Sequence, residues 1–286
     1  MSLQEKINNR QNDEDMLKCQ FAARHFYNSA ENYSAIAFMF SLLSCLCIFL
    51  PNTNSALMLL PLLLDTFVFV FYYKMEKSVS AAAQLRNYFD DTVLGFNRKS
   101  QAQNEMRAIQ QLIHKACSKN EADCLTQIAN TGRDDPPGVK NWYEFSKKYA
   151  DTEVVFECQT QNQWWNRKLY WRRMVFYILI VLACFIGCGI IINYYPGFSL
   201  PLVICFGSFA ITFLDRACEN VRYLRLSIKI DDVCEILSNS KTDQQIVELQ
   251  KLLESRRKLR VVELNHFHKK NSKKFSEEYE QISKDI

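Results

Sequence analysis

The chain has 286 residues, of which 48% are hydrophobic and 23% charged, and its formal net charge is +4. So small an excess of positive charge gives no reason to expect a nucleic-acid polymer as partner. Eleven cysteines occur without any CxxC spacing, which argues against a secreted disulfide framework and for reduced, buried thiols. The N-terminus mixes Glu5, Lys6, Arg10, Asp13, Glu14 and Asp15 with no apolar core, so it is not read as a signal peptide.

Residues 11–32 read as a helix carrying Phe21, Phe26 and Tyr27 that runs straight into an apolar block. From Tyr33 to Tyr73 there is no Lys or Arg, and Asp65 is the only acid; from Met174 to Leu214 there is no charged side chain. A helix crossing a hydrocarbon core of about 30 Å needs about 20 apolar residues, so each block reads as two crossings. They are Tyr33 to Leu50 and Ser55 to Tyr73, then Met174 to Tyr194 and Phe198 to Leu214. Pro51-Asn52-Thr53-Asn54 and Asn193-Tyr194-Tyr195-Pro196-Gly197 supply turns short enough to force antiparallel neighbours. The expected fold class is therefore an all-α membrane protein with four transmembrane helices in two hairpins and a helical cytoplasmic domain formed by helix extensions.

Charge at the ends of these blocks sets the direction. Neither turn is charged, whereas the opposite ends carry Lys74, Lys77, Arg167, Lys168, Arg172, Arg173, Arg216, Arg222 and Arg225. Lys and Arg mark the cytoplasmic side, so both termini and the segment 74–172 are expected inside. Tyr72, Tyr73, Trp171, Tyr177, Tyr194 and Tyr195 fall where interfacial aromatic belts belong. The expected organisation is a cytoplasmic helix over 1–32, a hairpin over 33–73, a cytoplasmic helical domain over 74–172, a second hairpin over 173–214 and C-terminal cytoplasmic helices over 215–286.

Within the polar parts, Leu85, Tyr88, Phe89, Thr92, Val93 and Phe96 recur at helical spacing, and a further helix spans about Glu105 to Ala116. The polar stretch 118–138 closes in the loop Arg133-Asp134-Asp135-Pro136-Pro137-Gly138. A helix from about Thr152 feeds the third crossing, and the fourth extends inward to Leu237. Thr242 with Gln245 forms a capping box for a last helix with Ile246, Leu249, Leu252 and Leu253 on one face.

Catalytic chemistry is scarce. There is no Gly-rich phosphate loop, nucleophile elbow or HExxH, and an enzyme, a cofactor or a metal centre is not expected. His266 and His268 on a helix would point about 200° apart. Asp90 and Asp91 read as surface caps or ion-pair partners. Asp65 inside an apolar run is either a pore-lining or gating carboxylate, or a protonated acid hydrogen-bonded to a neighbouring helix. The densest polar-aromatic cluster is Cys158 to Lys168, with Gln159, Gln161, Asn162, Gln163, Trp164, Trp165 and Arg167. Amides can read base edges, Trp can stack and Arg can meet phosphate, the chemistry of a small nucleotide site. Composition alone favours the other reading, interfacial Trp anchoring with helix–helix hydrogen bonds.

The run Gly138-Val139-Lys140-Asn141-Trp142-Tyr143, then Cys158-Gln159-x-Gln161-Asn162-x-Trp164-Trp165, resembles the S-4TM family, as does Ala82-Ala83-Gln84-Leu85 with Phe89-Asp90 and Val93-Leu94. These are four-transmembrane pore-forming effectors associated with bacterial nucleotide-second-messenger synthases, and the likeness covers roughly residues 15–235. Asn141 stands where an acid would be usual, and Gln161 where a basic residue would be. The resemblance implies an anti-phage membrane effector. It would oligomerise with copies of itself and permeabilise or depolarise the bacterial inner membrane under a cyclic oligonucleotide from a partner nucleotidyltransferase or cyclase, causing abortive infection. It further implies a ligand site drawn from Lys140, Trp142, Gln159, Gln161, Asn162, Trp164, Trp165 and Arg167. The alternatives are a membrane scaffold without a pore and a constitutive ion channel.

Overall fold

A computed structural model of the chain describes residues 1–47, 59–96, 103–145, 147–194, 199–239, 242–261 and 278, with only some of the side chains between 165 and 212. The described residues form eight helices: α1 (Leu3–Gln11), α2 (Glu14–Leu46), α3 (Leu60–Leu94), α4 (Gln103–Lys119), α5 (Glu121–Ala129), α6 (Asp151–Tyr194), α7 (Ser199–Asn239) and α8 (Asp243–Arg257).

Local chemistry sets most of the boundaries. A capping box opens α1: the Ser2 hydroxyl accepts from the Glu5 N–H at 3.3 Å, and the Glu5 carboxylate accepts from the Ser2 N–H at 2.9 Å. Asp13, in an extended conformation, separates α1 from α2, so the single helix expected over 11–32 begins instead at Glu14. Gly95 ends α3 with φ at +79°, a left-handed conformation that glycine adopts without strain. The segment 118–138, read as polar loop, contains α5, whose first turn holds Glu121 and Asp123 and whose Cys124 and Ile128 turn inward. Thr242 caps α8 as expected, its hydroxyl accepting from the Gln245 N–H at 3.4 Å.

α2 and α3 are antiparallel and pack along their length. Cys19 donates its thiol to the Leu85 carbonyl at 3.3 Å near one end, and Phe40 stacks on Phe67 at 5.2 Å near the other. Small residues at helical spacing, Ala30, Ser34, Ala37, Ser41 and Ser44, are the buried stripe of α2 and permit that close approach. α7 lies against the pair, with Arg216 donating to the Tyr72 hydroxyl and, at 3.1 Å, to the Ser34 carbonyl. The main core joins Ile7, Phe21, Leu85, Phe89, Ile109, Tyr143 and Val154 from six segments. Each large apolar side chain fully removed from water there contributes about 1.5–3 kcal/mol. A second cluster of Phe156, Ile230, Leu237, Leu249 and Leu253 ties α6, α7 and α8 together.

The expected fold class needs correction. The chain is all-helical, but among the described residues no helix is long and apolar enough to cross a membrane. The described apolar part of α2, Tyr33 to Leu46, is about 14 residues, and that of α3, Leu60 to Tyr73, is about 14 and contains Asp65; both fall short of the roughly 20 a span requires. Before Tyr33 come Glu31 and Asn32, and after Tyr73 come Lys74 and Glu76, so neither stretch can lengthen on its described side. The expected turn at 51–54 and most of that at 193–197 lie outside the described residues. α2, α3, α6 and α7 run uninterrupted through residues 32/33, 73/74, 172/173 and 214/215, as helix extensions would.

Large apolar side chains nevertheless face outward on one end of the bundle. Leu46 on α2, Leu62 and Phe69 on α3, and Leu179, Leu182 and Ile186 on α6 are all exposed. Apolar side chains exposed in such number point to contact with lipid or with another protein.

Candidate functional site

The segment from Gly138 to Glu144 crosses the bundle with little regular hydrogen bonding of its own, and neighbouring groups supply it. Gly138, Val139 and Lys140 donate their backbone N–H groups to the carbonyls of Thr131, Gln127 and Asn130 at 2.7, 2.8 and 3.0 Å. Position 138 must be glycine, because a Cβ there would sit 1.9 Å from the Asn130 oxygen. Asn141 is left-handed at φ +53°, a conformation that Asn tolerates better than most residues. Its amide oxygen accepts from Asn12 at 2.8 Å, while its N–H donates to the Asn12 oxygen at 3.1 Å.

Two more side-chain amides act as short lengths of strand. Gln11 of α1 accepts from the Tyr143 N–H at 2.7 Å and donates to the Tyr143 carbonyl at 3.1 Å. Gln161 of α6 does the same for Glu144, at 3.3 and 3.4 Å. Buried backbone polar groups need such partners, because an unpaired one costs about 1–3 kcal/mol.

The segment is held this firmly around Asp90. That carboxylate is buried on α3 and receives donors from three directions. Tyr143 O–H reaches Oδ1 at 2.7 Å; the Gln250 amide and Arg257 guanidinium of α8 reach Oδ2 at 3.1 and 2.7 Å. Arg257 also donates to Asn87 at 3.2 Å. Asn162 of α6 donates to the Tyr143 oxygen at 3.0 Å, extending the chain of bonds. Burial and the neighbouring Asp90 carboxylate raise the Tyr143 hydroxyl well above its ordinary range, so it stays a donor. Burial is the largest influence on Arg257 and would depress it, but Asp90, Tyr143 and Tyr27 together hold the guanidinium above its usual value.

Arg86, one helical turn before Asp90, does not pair with it. Its guanidinium lies 3.9 Å over the ring of Trp142, a cation–π contact, and makes no ion pair or hydrogen bond among the described residues. Burial, then repulsion by Arg257, lowers its pKa. Arg24 is lowered to about 10 by burial and by Arg86. Its own bonds go to Gln127 Oε1 and the carbonyls of Pro137 and Gly138, at 2.9, 2.8 and 3.1 Å. Three arginines thus converge behind the 138–144 segment, and only Arg257 has a carboxylate in direct contact.

The residues singled out in the sequence divide among several places. Trp142, Gln161 and Asn162 gather around Tyr143, and Lys140 stands exposed at the edge of the same segment. Gln159 is fully buried and donates to the Ile246 carbonyl and Gln250 Oε1 of α8 at 3.0 and 3.1 Å, leaving its own Oε1 without a partner. Gln163 likewise serves α7, donating to Ser227 and Asp231 and accepting from Arg256. Trp164 is partly buried, while the side chains of Trp165 and Arg167 lie outside the described residues. Asp65 is not part of this group, lying about 37 Å along α3 from Asp90 by helical rise. Its Oδ1 is buried with no hydrogen-bond partner. The acidic pair read as surface caps or ion-pair partners is buried, and Asp90 is the ion-pair partner. Arg86, Gln250 and Arg257 carried no sequence signal beyond ordinary composition, and Tyr143 stood out only as the end of the Gly138–Tyr143 run.

No group of metal-ligating side chains occurs among the described residues, and His266 and His268 lie outside them. A family model described as "SMODS-associating 4TM effector domain" matches residues 5–260. No curated protein and no solved structure matches the chain. The matched region takes in α1 to α8 and the whole hub around Asp90.

Proposed function

The chain belongs to the family of SMODS-associating 4TM effector domains, and from that membership we propose that it is a bacterial anti-phage effector acting at the inner membrane under control of a cyclic oligonucleotide. The family description names an effector, not a catalyst, and its 4TM element points to a membrane protein. The signal is made by a partner nucleotidyltransferase of the SMODS type. The effector then assembles with copies of itself and depolarises the membrane, and the infected cell dies before phage matures. The outward apolar side chains of α2, α3 and α6 supply the surface that meets lipid.

The observation that carries ligand control is Arg86 held over Trp142 without an anion of its own. A guanidinium in partly desolvated surroundings, repelled by a second arginine, is unfavourable until an anion arrives. Arg is also the side chain best shaped to meet phosphate oxygens in pairs. Lys140 and Trp142 flank that position in sequence, and Gln161 and Asn162 present amides from α6. Ligand phosphate at Arg86 would engage a segment bonded to α1, α3 and α6 together, and so bias the arrangement of the bundle by its differential affinity.

Isothermal titration of the purified full-length protein with a panel of cyclic di- and trinucleotides tests this reading. One of them binds the wild type, and Arg86→Ala weakens it at least tenfold while leaving the melting temperature within a few degrees. Binding unaffected by Arg86→Ala would remove the proposed site.

A further inference from the structure

The turn between α4 and α5 brings two thiols face to face. Cys117, in the last turn of α4, and Cys124, in the first turn of α5, have their sulfurs 3.2 Å apart, the Cys124 thiol donating to the Cys117 sulfur. Both are free thiols; Cys124 is buried and Cys117 is partly exposed. Spacing alone does not reveal this pairing, because six residues separate the two cysteines and neither belongs to a CxxC. A helix–turn–helix through Asn120 closes the distance: Asn120 receives no regular helical geometry, and its amide bonds the Ala116 carbonyl at 3.2 Å.

We propose that Cys117 and Cys124 form a peroxide-oxidisable dithiol whose disulfide locks the α4–α5 turn. Cys117 is the thiol that peroxide can reach. Its sulfur, as thiolate, attacks one oxygen of hydrogen peroxide; an S–O bond forms, the O–O bond breaks, and the departing hydroxide takes up a proton to become water. The Cys124 sulfur then attacks the Cys117 sulfenic sulfur, the S–O bond breaks, and hydroxide leaves with the Cys124 proton as a second water. Two thiols lose two electrons and one peroxide is reduced to two waters. The sulfurs need only close to about 2.05 Å, a movement within reach of side-chain rotation and a small shift of the turn.

The surroundings suit this assignment of roles. The Lys18 ammonium, itself paired with Glu14 at 2.5 Å, lies within electrostatic reach of both sulfurs. Cys124, pushed up to about 12 by burial and by its bond to Cys117, keeps its proton and waits as the resolving thiol. Neighbouring Cys19 is buried, also raised to about 12, and commits its thiol to the Leu85 carbonyl. Cys218 is exposed and provides an internal reference for simple accessibility.

The turn is mechanically close to the Asp90 hub. α5 carries Gln127, whose side chain receives Arg24 and whose carbonyl receives the Val139 N–H at 2.8 Å. The carbonyl of Asn130, just beyond α5, receives the Lys140 N–H at 3.0 Å. A locked turn therefore restrains the base of the segment that carries Lys140 and Trp142.

The test is graded hydrogen peroxide treatment of the purified full-length protein, followed by alkylation, digestion and mass spectrometry, with hydrogen exchange on the oxidised and reduced forms. The expected result is a Cys117–Cys124 disulfide at peroxide concentrations at least tenfold below those that modify Cys218. Slower exchange over residues 117–129 should accompany it. In Cys124→Ser, dimedone should trap a sulfenic acid at Cys117. Oxidation of Cys218 while both thiols still alkylate, a Cys19–Cys117 disulfide, or unchanged exchange in the disulfide form would each overturn the proposal.

Discussion

Asp90 of α3 and Arg257 of α8 meet at 2.7 Å in the interior, 167 residues apart in sequence, with side chains 2% and 11% exposed. Asp90 is also the acceptor for Tyr143, so one carboxylate joins the C-terminal helix to the segment that carries Trp142. Removing either charge leaves the other buried without its counter-ion, which is far worse than replacing both by apolar groups.

Asp90→Leu or Arg257→Met alone should therefore destabilise the protein by about 3–5 kcal/mol. The double variant Asp90→Leu, Arg257→Met should recover a large part of that loss. Chemical denaturation of the four proteins in the cycle measures it. Additive losses in the double variant would show that the two side chains are not coupled.

Gln159 tests how α8 is held. Its amide donates to Ile246 and Gln250; in Gln159→Leu the Ile246 carbonyl keeps its bond within the helix, but Gln250 Oε1 is left buried without that donor, at a cost of about 1–3 kcal/mol. Hydrogen exchange should accelerate over α8 and remain unchanged at the buried Cys19–Leu85 level of α2 and α3. Uniform acceleration would mean that α8 does not open separately.

Acid should weaken the fold through His25. Burial, and then Lys119, lower its pKa from an ordinary value of 6.5, and its ring accepts, as neutral imidazole, from the Asn120 amide at 3.4 Å. Between the lowered value and 6.5 the unfolded chain binds a proton that the folded chain does not, so stability rises with pH through that window and is complete above it. Melting temperature should fall as pH drops from about 7 to about 5, and His25→Gln should flatten that slope. A slope identical in the variant would assign the acid sensitivity elsewhere.

Asp65 separates a pore from a scaffold. Its Oδ1 is buried without a hydrogen-bond partner, on a helix whose neighbour buries the Ser41 and Ser44 hydroxyls, also without partners. Asp65→Asn keeps the shape and removes the charge, so a conducting assembly should change its conductance in planar bilayers. A scaffold would at most lose stability.

Much of the helical layout was legible from local pattern. The Thr242 cap, the helix expected at 105–116 that lies within α4 and the run of α7 through Leu237 each follow from signals within one or two turns. The break at Asn12–Asp13 and the nine residues of α5 were missed, because short polar helices differ little from loops until their apolar side chains find a core. The membrane-span reading rested on uninterrupted apolar blocks, while the described helices join only parts of those blocks to polar sequence such as Asn32 and Lys74. The hub was hidden for another reason. Gln11 and Gln250 look like ordinary surface amides and Gln161 like a ligand amide, and only contacts across 132, 160 and 17 residues reveal them as partners for backbone or for Asp90. Gln159 was singled out for ligand reading, yet its donors go to α8, in keeping with the helix–helix bonding that composition favoured.

Membrane potential in bacteria expressing the chain, followed with a voltage-sensitive dye with and without an active cyclic-oligonucleotide synthase, tests the central claim most directly. The account predicts a synthase-dependent change in potential with the wild type, lost in Arg86→Ala at equal protein level. No change under any condition, with the protein present in the membrane fraction, would contradict it.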